Sequence, residues 1–188
     1  MNVKRDDRAW GGDSLRPVAI LGMGNVLLGD DGAGPAVIRH LAAHYEFPGA
    51  VELEDLGTPG LDLVPHLAGR RTVILIDTVA SGGPPGTVRI YPKERLAAAL
   101  RTARLSPHDP GLAESLATLE LAGEAPARLF VVGIVPGSTD TGIGLSPAVR
   151  EAVPAAAAEA VRLLAEEGLE PRPRTRPLAV RSLWEEAK

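Results

Sequence analysis

Residues Thr72 to Asp77 read TVILID, a near-continuous run of apolar and β-branched side chains. A strand wet on one face alternates apolar with polar; this one does not, so it is expected to be covered on both faces. Such a strand belongs inside a mostly parallel sheet flanked by helices. The rest of the chain is spaced to supply that sheet. Pro17 to Met23 (PVAILGM) is a second short apolar run, ending in glycine. Ala50 to Leu56 (AVELEDL) alternates at period two, Thr87 to Tyr91 fits an edge strand, and Arg128 to Val135 (RLFVVGIV) is a fifth strand. Helical patterns lie between them. Val37, Ile38, Leu41 and Tyr45 share one face of a helix starting near Pro35, and Leu61, Val64 and Leu67 mark a short one. Asp109-Pro110 is an N-cap followed by proline at the first helical position, and Leu112, Leu116 and Leu119 supply the buried stripe behind it. Ser146-Pro147 repeats that signal and opens a long Ala-rich helix to about Glu167, with a kink expected at Pro154. Lys93 to Leu105 fits either a helix or a lid-like segment. The alternation predicts an α/β three-layer sandwich: a twisted, five-stranded, mostly parallel sheet with helices on both faces.

The chain has 188 residues, room for one sizeable core. Residues 1–16 read as a polar lead-in, 17–169 as a single α/β domain, and 170–188 as an Arg/Pro-rich tail whose start, PRPRTRP, reads as extended. The net charge of −4 gives no electrostatic footprint for nucleic acid. No run reaches the roughly 20 apolar residues of a membrane span, and the first residues lack the apolar stretch of a signal peptide. There is no cysteine, which excludes disulfides, thiolate metal sites and thiol nucleophiles, so a metal would need His, Asp or Glu. A cytoplasmic protein is expected, and without a coiled-coil pattern it reads as a monomer.

In an open sheet of this kind ligands gather at the carboxyl ends of the strands. Those ends fall at the turns after Met23, Leu56, Ile76 and Val135. The first turn, GMGNVLLGDDGAG, superficially suggests a dinucleotide loop, but Leu27 stands where the third glycine belongs, and Asp30 and Asp31 would repel a pyrophosphate. Of these two acids, one can cap the following helix while the other faces the carboxyl edge. Asp77 ends the most buried strand, where a carboxylate is costly unless paired, hydrogen-bonded or metal-bound. His108 precedes a helix; it reads either as a solvated loop histidine or as an imidazole joining Asp31 and Asp77 in a mixed oxygen and nitrogen site for a borderline ion such as zinc or nickel. His40 and His44, four apart, have a spacing that can chelate, yet at a helix C-terminus they read better as exposed dipole partners. His66 reads as a helix-surface residue. No nucleophile elbow occurs, so serine hydrolase chemistry has no support.

The ordered set GMGNVLLGDDGAG, LEDLGTPGLDLV, VILIDTV, LSPHDPGL and VVGIVPGS resembles the maturation endopeptidases of nickel–iron hydrogenases, from about Val18 to Leu169. The resemblance implies a cytoplasmic enzyme. It would remove a short C-terminal extension from the hydrogenase large-subunit precursor after nickel insertion, cutting just past the cysteine motif that holds the metal. By motif, the family's metal-binding positions fall on Asp31, Asp77 and His108, with Asp31 standing where some relatives carry Glu, and Asp55 matches a further family acid. Asp31, Asp55 and Asp77 are thereby expected to serve catalysis. Nickel is expected to arrive with the substrate, and zinc or another divalent ion to fit the same donors in the isolated protein. Peptide cleavage could use a metal-bound water, or Asp55 or Asp30 as general base. Two other readings use the same residues: a non-catalytic nickel-dependent chaperone of the precursor, and a zinc-dependent hydrolase of small molecules.

Overall fold

The computed structural model describes residues 18–59, 63–96 and 109–179. The lead-in, His108, most of the Lys93–Leu105 segment and the end of the tail lie outside the described residues. The sheet contains the five expected strands: β1 (Val18–Met23), β3 (Val51–Gly57), β4 (Thr72–Thr78), β5 (Val88–Pro92) and β6 (Arg128–Ile134). Their spatial order is β3-β1-β4-β6-β5. All neighbours run parallel except β5, which lies antiparallel to β6 at the edge, where its half-buried residues tolerate one open side. β4, the run that led to this architecture, is buried at every residue.

Helices cover both faces. On one side α1 (Ala33–His44) and the 20-residue α4 (Pro147–Glu166) pack over Ile20, Ile74, Ile76 and Val132. On the other, α2 (Val64–Leu67) and α3 (Asp109–Ala122) bring Leu67, Leu112, Leu116 and Leu119 against Leu21, Val73, Leu75 and Val131. Alternation along β4 therefore assigns Asp77 to the α2/α3 side and Thr78 to the α1/α4 side. Helix α4 continues through Pro154, which is exposed, so the missing amide bond falls on the solvent side.

A two-residue ribbon pairs β2 (Tyr45–Glu46) with β7 (Arg172–Pro173) in antiparallel register. It places the beginning of the Arg/Pro-rich tail beside α1: the Arg174 N–H donates to the His44 carbonyl at 2.8 Å, and the Arg174 guanidinium meets Glu46 at 2.7 Å.

The sheet order fixes where a ligand can sit. From β1 the chain passes through α1 to β3 on one side of β1; it then returns to β4 on the other side and proceeds to β6. The connections leaving β1 and β4 thus diverge, which opens a crevice between their carboxyl ends. The GDDG turn and Asp77 both stand at that crevice.

Candidate active site

The glycines of the first loop are needed for close backbone approach. Gly24 has φ +141°, and a Cβ there would run into the Asp31 carbonyl. A Cβ on Gly34, in the first turn of α1, would lie 2.6 Å from the Ile76 carbonyl oxygen and closer still to that of Met23. The helix start is thereby pressed onto the ends of β1 and β4. A 3₁₀ turn, Gly29–Gly32, carries Asp30 and Asp31 across the gap. The Asn25 side chain fastens its approach, accepting the Leu27 N–H at 3.0 Å.

The two adjacent acids do different work. Asp30 is buried, and its carboxylate accepts four hydrogen bonds from a loop on the far side of the crevice. Oδ2 takes the N–H groups of Gly137 (2.7 Å) and Ser138 (3.2 Å) and the Ser146 hydroxyl (2.9 Å), while Oδ1 takes the Ser146 N–H (2.6 Å). Ser146 is the N-cap of α4. Asp30 therefore sits where the helix dipole favours a negative charge. The expected capping of α1 is not what is found: that helix has Gly32 at its N-cap and no side-chain cap. Burial alone would push the Asp30 pKa up, but the hydrogen bonds from Ser146, Gly137 and Ser138 outweigh it, and the net shift is below the ordinary carboxylate value.

This shift has a measurable consequence. A carboxyl held low in the folded state contributes stability that is present above its unfolded pKa and lost as pH falls through the folded value. Asp30→Asn puts an NH2 in place of one of the two accepting oxygens, facing at least one of the donors, and is expected to cost about 2 kcal/mol at neutral pH. Urea titrations of both proteins should show the gap narrowing as pH drops below 4, the ordinary range for Asp. A gap constant from pH 7 to 3 would contradict the assignment.

Asp31, also buried, faces the other way. Its Oδ2 accepts the Asn25 N–H at 2.7 Å and its Oδ1 accepts the Thr78 hydroxyl at 3.0 Å. Thr78 in turn gives its backbone N–H to Asp77 Oδ1 at 2.8 Å. One residue thus holds both carboxylates, through its side chain on one face of the sheet and its backbone on the other. Asp55 lies near the carboxyl end of β3, at the same edge of the sheet. It is exposed, and its Oδ1 accepts the Gly57 N–H at 3.1 Å in a tight turn. Among the described residues no three of His, Asp and Glu converge on a common metal position. His108, the third donor of the expected set, lies outside the described residues.

The other histidines are occupied within the fold. His40 and His44 stack with centroids 4.0 Å apart, and His44 Nδ1–H donates to the His40 carbonyl at 2.9 Å. They are half-buried where an exposed pair was expected, and burial, then the neighbouring His44, lowers the His40 pKa. His66 meets Glu54 at 3.1 Å. Asn25, Thr78 and the 137–146 loop lie at the strand-end turns the sequence pointed to, but the sequence singled out none of them as a site residue. The Ser146-Pro147 cap stood out, but only as the start of a helix.

With this geometry in place, the chain can be set beside known proteins. A family model, HycI, described as hydrogenase maturation protease, matches residues 35–163. The hydrogenase 2 maturation protease of Escherichia coli K12 is 37% identical over 158 residues, spanning 84% of this chain and 96% of that protein. The hydrogenase expression/formation protein HupD of Rhodobacter capsulatus is 36% identical, spanning 81% of this chain and 73% of that one. Among solved structures, the E. coli hydrogenase maturating endopeptidase HybD superposes with a TM-score of 0.79 at 37% identity, covering 85% of this chain and 98% of that one. HybD of Thermococcus kodakarensis, a [NiFe] hydrogenase maturation protease, superposes with a TM-score of 0.65 at 29% identity, covering 78% and 98%.

Proposed function

Because this chain belongs to the hydrogenase maturation protease family and is an endopeptidase, we propose that it removes a C-terminal extension from the large-subunit precursor of a nickel–iron hydrogenase once nickel has been inserted. The observation that carries the site assignment is the Thr78 bridge, which holds Asp31 and Asp77 together at the crevice between β1 and β4. Each Asp31 oxygen takes one hydrogen bond among the described residues, and a carboxylate oxygen has a second lone pair to offer. Oxygen donors of this kind, completed by His108, suit a borderline divalent ion.

In this reading nickel belongs to the substrate, and Asp31, Asp77 and His108 meet it when the precursor docks. Precursor without the metal loses those contacts, which makes maturity a condition of binding. For the hydrolysis itself, the two candidate bases differ in their surroundings. Asp30 is buried, loaded with four donors and held at a lowered pKa, so it is a poor proton acceptor. Asp55 is exposed at the same edge. It is proposed to take the proton of the attacking water as the water oxygen adds to the scissile carbonyl carbon. The amine nitrogen receives that proton as the C–N bond breaks.

The test is intact-mass analysis of a cognate precursor incubated with this protein, once nickel-loaded and once nickel-free. Loss of one defined C-terminal peptide from the loaded sample alone is the expected result. Cleavage of both samples would remove the nickel condition, and an uncut, verified loaded precursor would overturn the proposed substrate.

A further inference from the structure

Strand β3 pairs with β1 on one side and, among the described residues, with no strand on the other. The orientation of its peptide groups follows from the register. The Val18 N–H donates to the Ala50 carbonyl at 3.0 Å, with Val18 opposite Val51. In a parallel pair alternate residues turn their peptide groups toward the same neighbour. Glu52 and Glu54 therefore bond β1, while Leu53 and Asp55 present N–H and C=O outward. Charged side chains commonly blunt such an edge. Here they are drawn off it: Glu52 meets the buried Arg70 guanidinium at 2.6 Å and Glu54 meets His66 at 3.1 Å, both over the face covered by α2. The edge also leads into the site. It passes Asp55, and two residues on the Gly57 carbonyl accepts the Gly24 N–H at 2.8 Å, where the loop carrying Asp31 begins.

We propose that this edge receives the substrate's C-terminal segment as an added β-strand, paired through the main chain to Leu53 and Asp55, and delivers the scissile bond to the carboxyl edge of the sheet. The inference rests on the function proposed above. A chain terminus awaiting removal is free to extend, and an extended peptide satisfies its own backbone groups by adding to a sheet edge. Main-chain pairing supplies affinity without prescribing the side chains of the extension.

Leu53→Pro tests this. The Leu53 N–H takes no part in the β1 ladder, so proline there removes an outward donor while β1 pairing stays intact. Leu53→Ala keeps the N–H and measures the side chain's share. With nickel-loaded precursor, the proline variant is expected to lose about tenfold more kcat/KM than the alanine variant, in KM rather than kcat. Equal values for the two variants would overturn the proposal. Amide exchange of the wild-type protein, followed by NMR, is independent of how the variants fold. A saturating synthetic peptide spanning the precursor's cleavage site should slow exchange at Leu53 and Asp55. Amides already protected in the free protein, or unchanged by the peptide, would each overturn it. Absence of any processing by the wild type would instead fail the function reading beneath it.

Discussion

Replacing Asp77 by asparagine is expected to lower precursor processing by about a thousandfold or more, far beyond any effect on the melting temperature. The two readouts part because the carboxylate is buried. Its charge is costly there unless something uses it. Asparagine keeps the volume and keeps an Oδ1 to accept the Thr78 N–H, so the fold is expected to hold, while the carboxylate proposed to meet the precursor's metal is gone. Removing only the Thr78 hydroxyl should give an intermediate result. Thr78→Val deprives Asp31 of one donor and is expected to cost about 10- to 100-fold, with recovery in Thr78→Ser, which restores the hydroxyl. Single-turnover processing of nickel-loaded precursor reads all three variants. Normal processing by Asp77→Asn would refute the site.

Replacing Gly34 by alanine is expected to be among the most damaging small changes in the fold, at about 4 kcal/mol, or about 10 °C in melting temperature for a chain of this size. Helix propensity alone favours alanine by about 1 kcal/mol. Packing overrides it, because the new methyl would meet the carbonyls of Ile76 and Met23, which are backbone atoms of the two central strands. Neither can move without lifting α1 from the sheet. Gly49→Ala is the contrast: a Cβ there meets nothing within 4 Å, and its effect should stay within about 0.5 kcal/mol. Thermal melts of both variants check the pair, and similar melting points would show that α1 is not clamped this tightly.

The two glycine positions also show what a sequence can and cannot convey. GMGN was readable as a failed phosphate loop, since a missing third glycine and two acids are local facts. That Gly24 and Gly34 serve close backbone approach is not local, because the atoms they avoid belong to Asp31, Met23 and Ile76. TVILID disclosed its parallel, doubly covered setting because burial on both faces erases alternation. Asp30 and Asp31 could not be told apart for the opposite reason. They are chemically identical neighbours, and what distinguishes them is Thr78, 47 positions on, and Ser146, 116 positions on. A threonine closing a β-branched run fits strand propensity so well that its second task leaves no mark. The tail was legible as extended, but a ribbon of two residues on each side is too short to impose a pattern.

The four bonds to Asp30 reach across 107 to 116 positions of chain. On the ribosome, the turn bearing Asp30 and Asp31 is made early and its fastening late. A chain made only as far as Thr78 already holds Asp31, Asp55 and Asp77, yet it lacks all four donors to Asp30. The Asp30 anchor therefore forms only after Ser146 has been made, once the start of α4 can reach it.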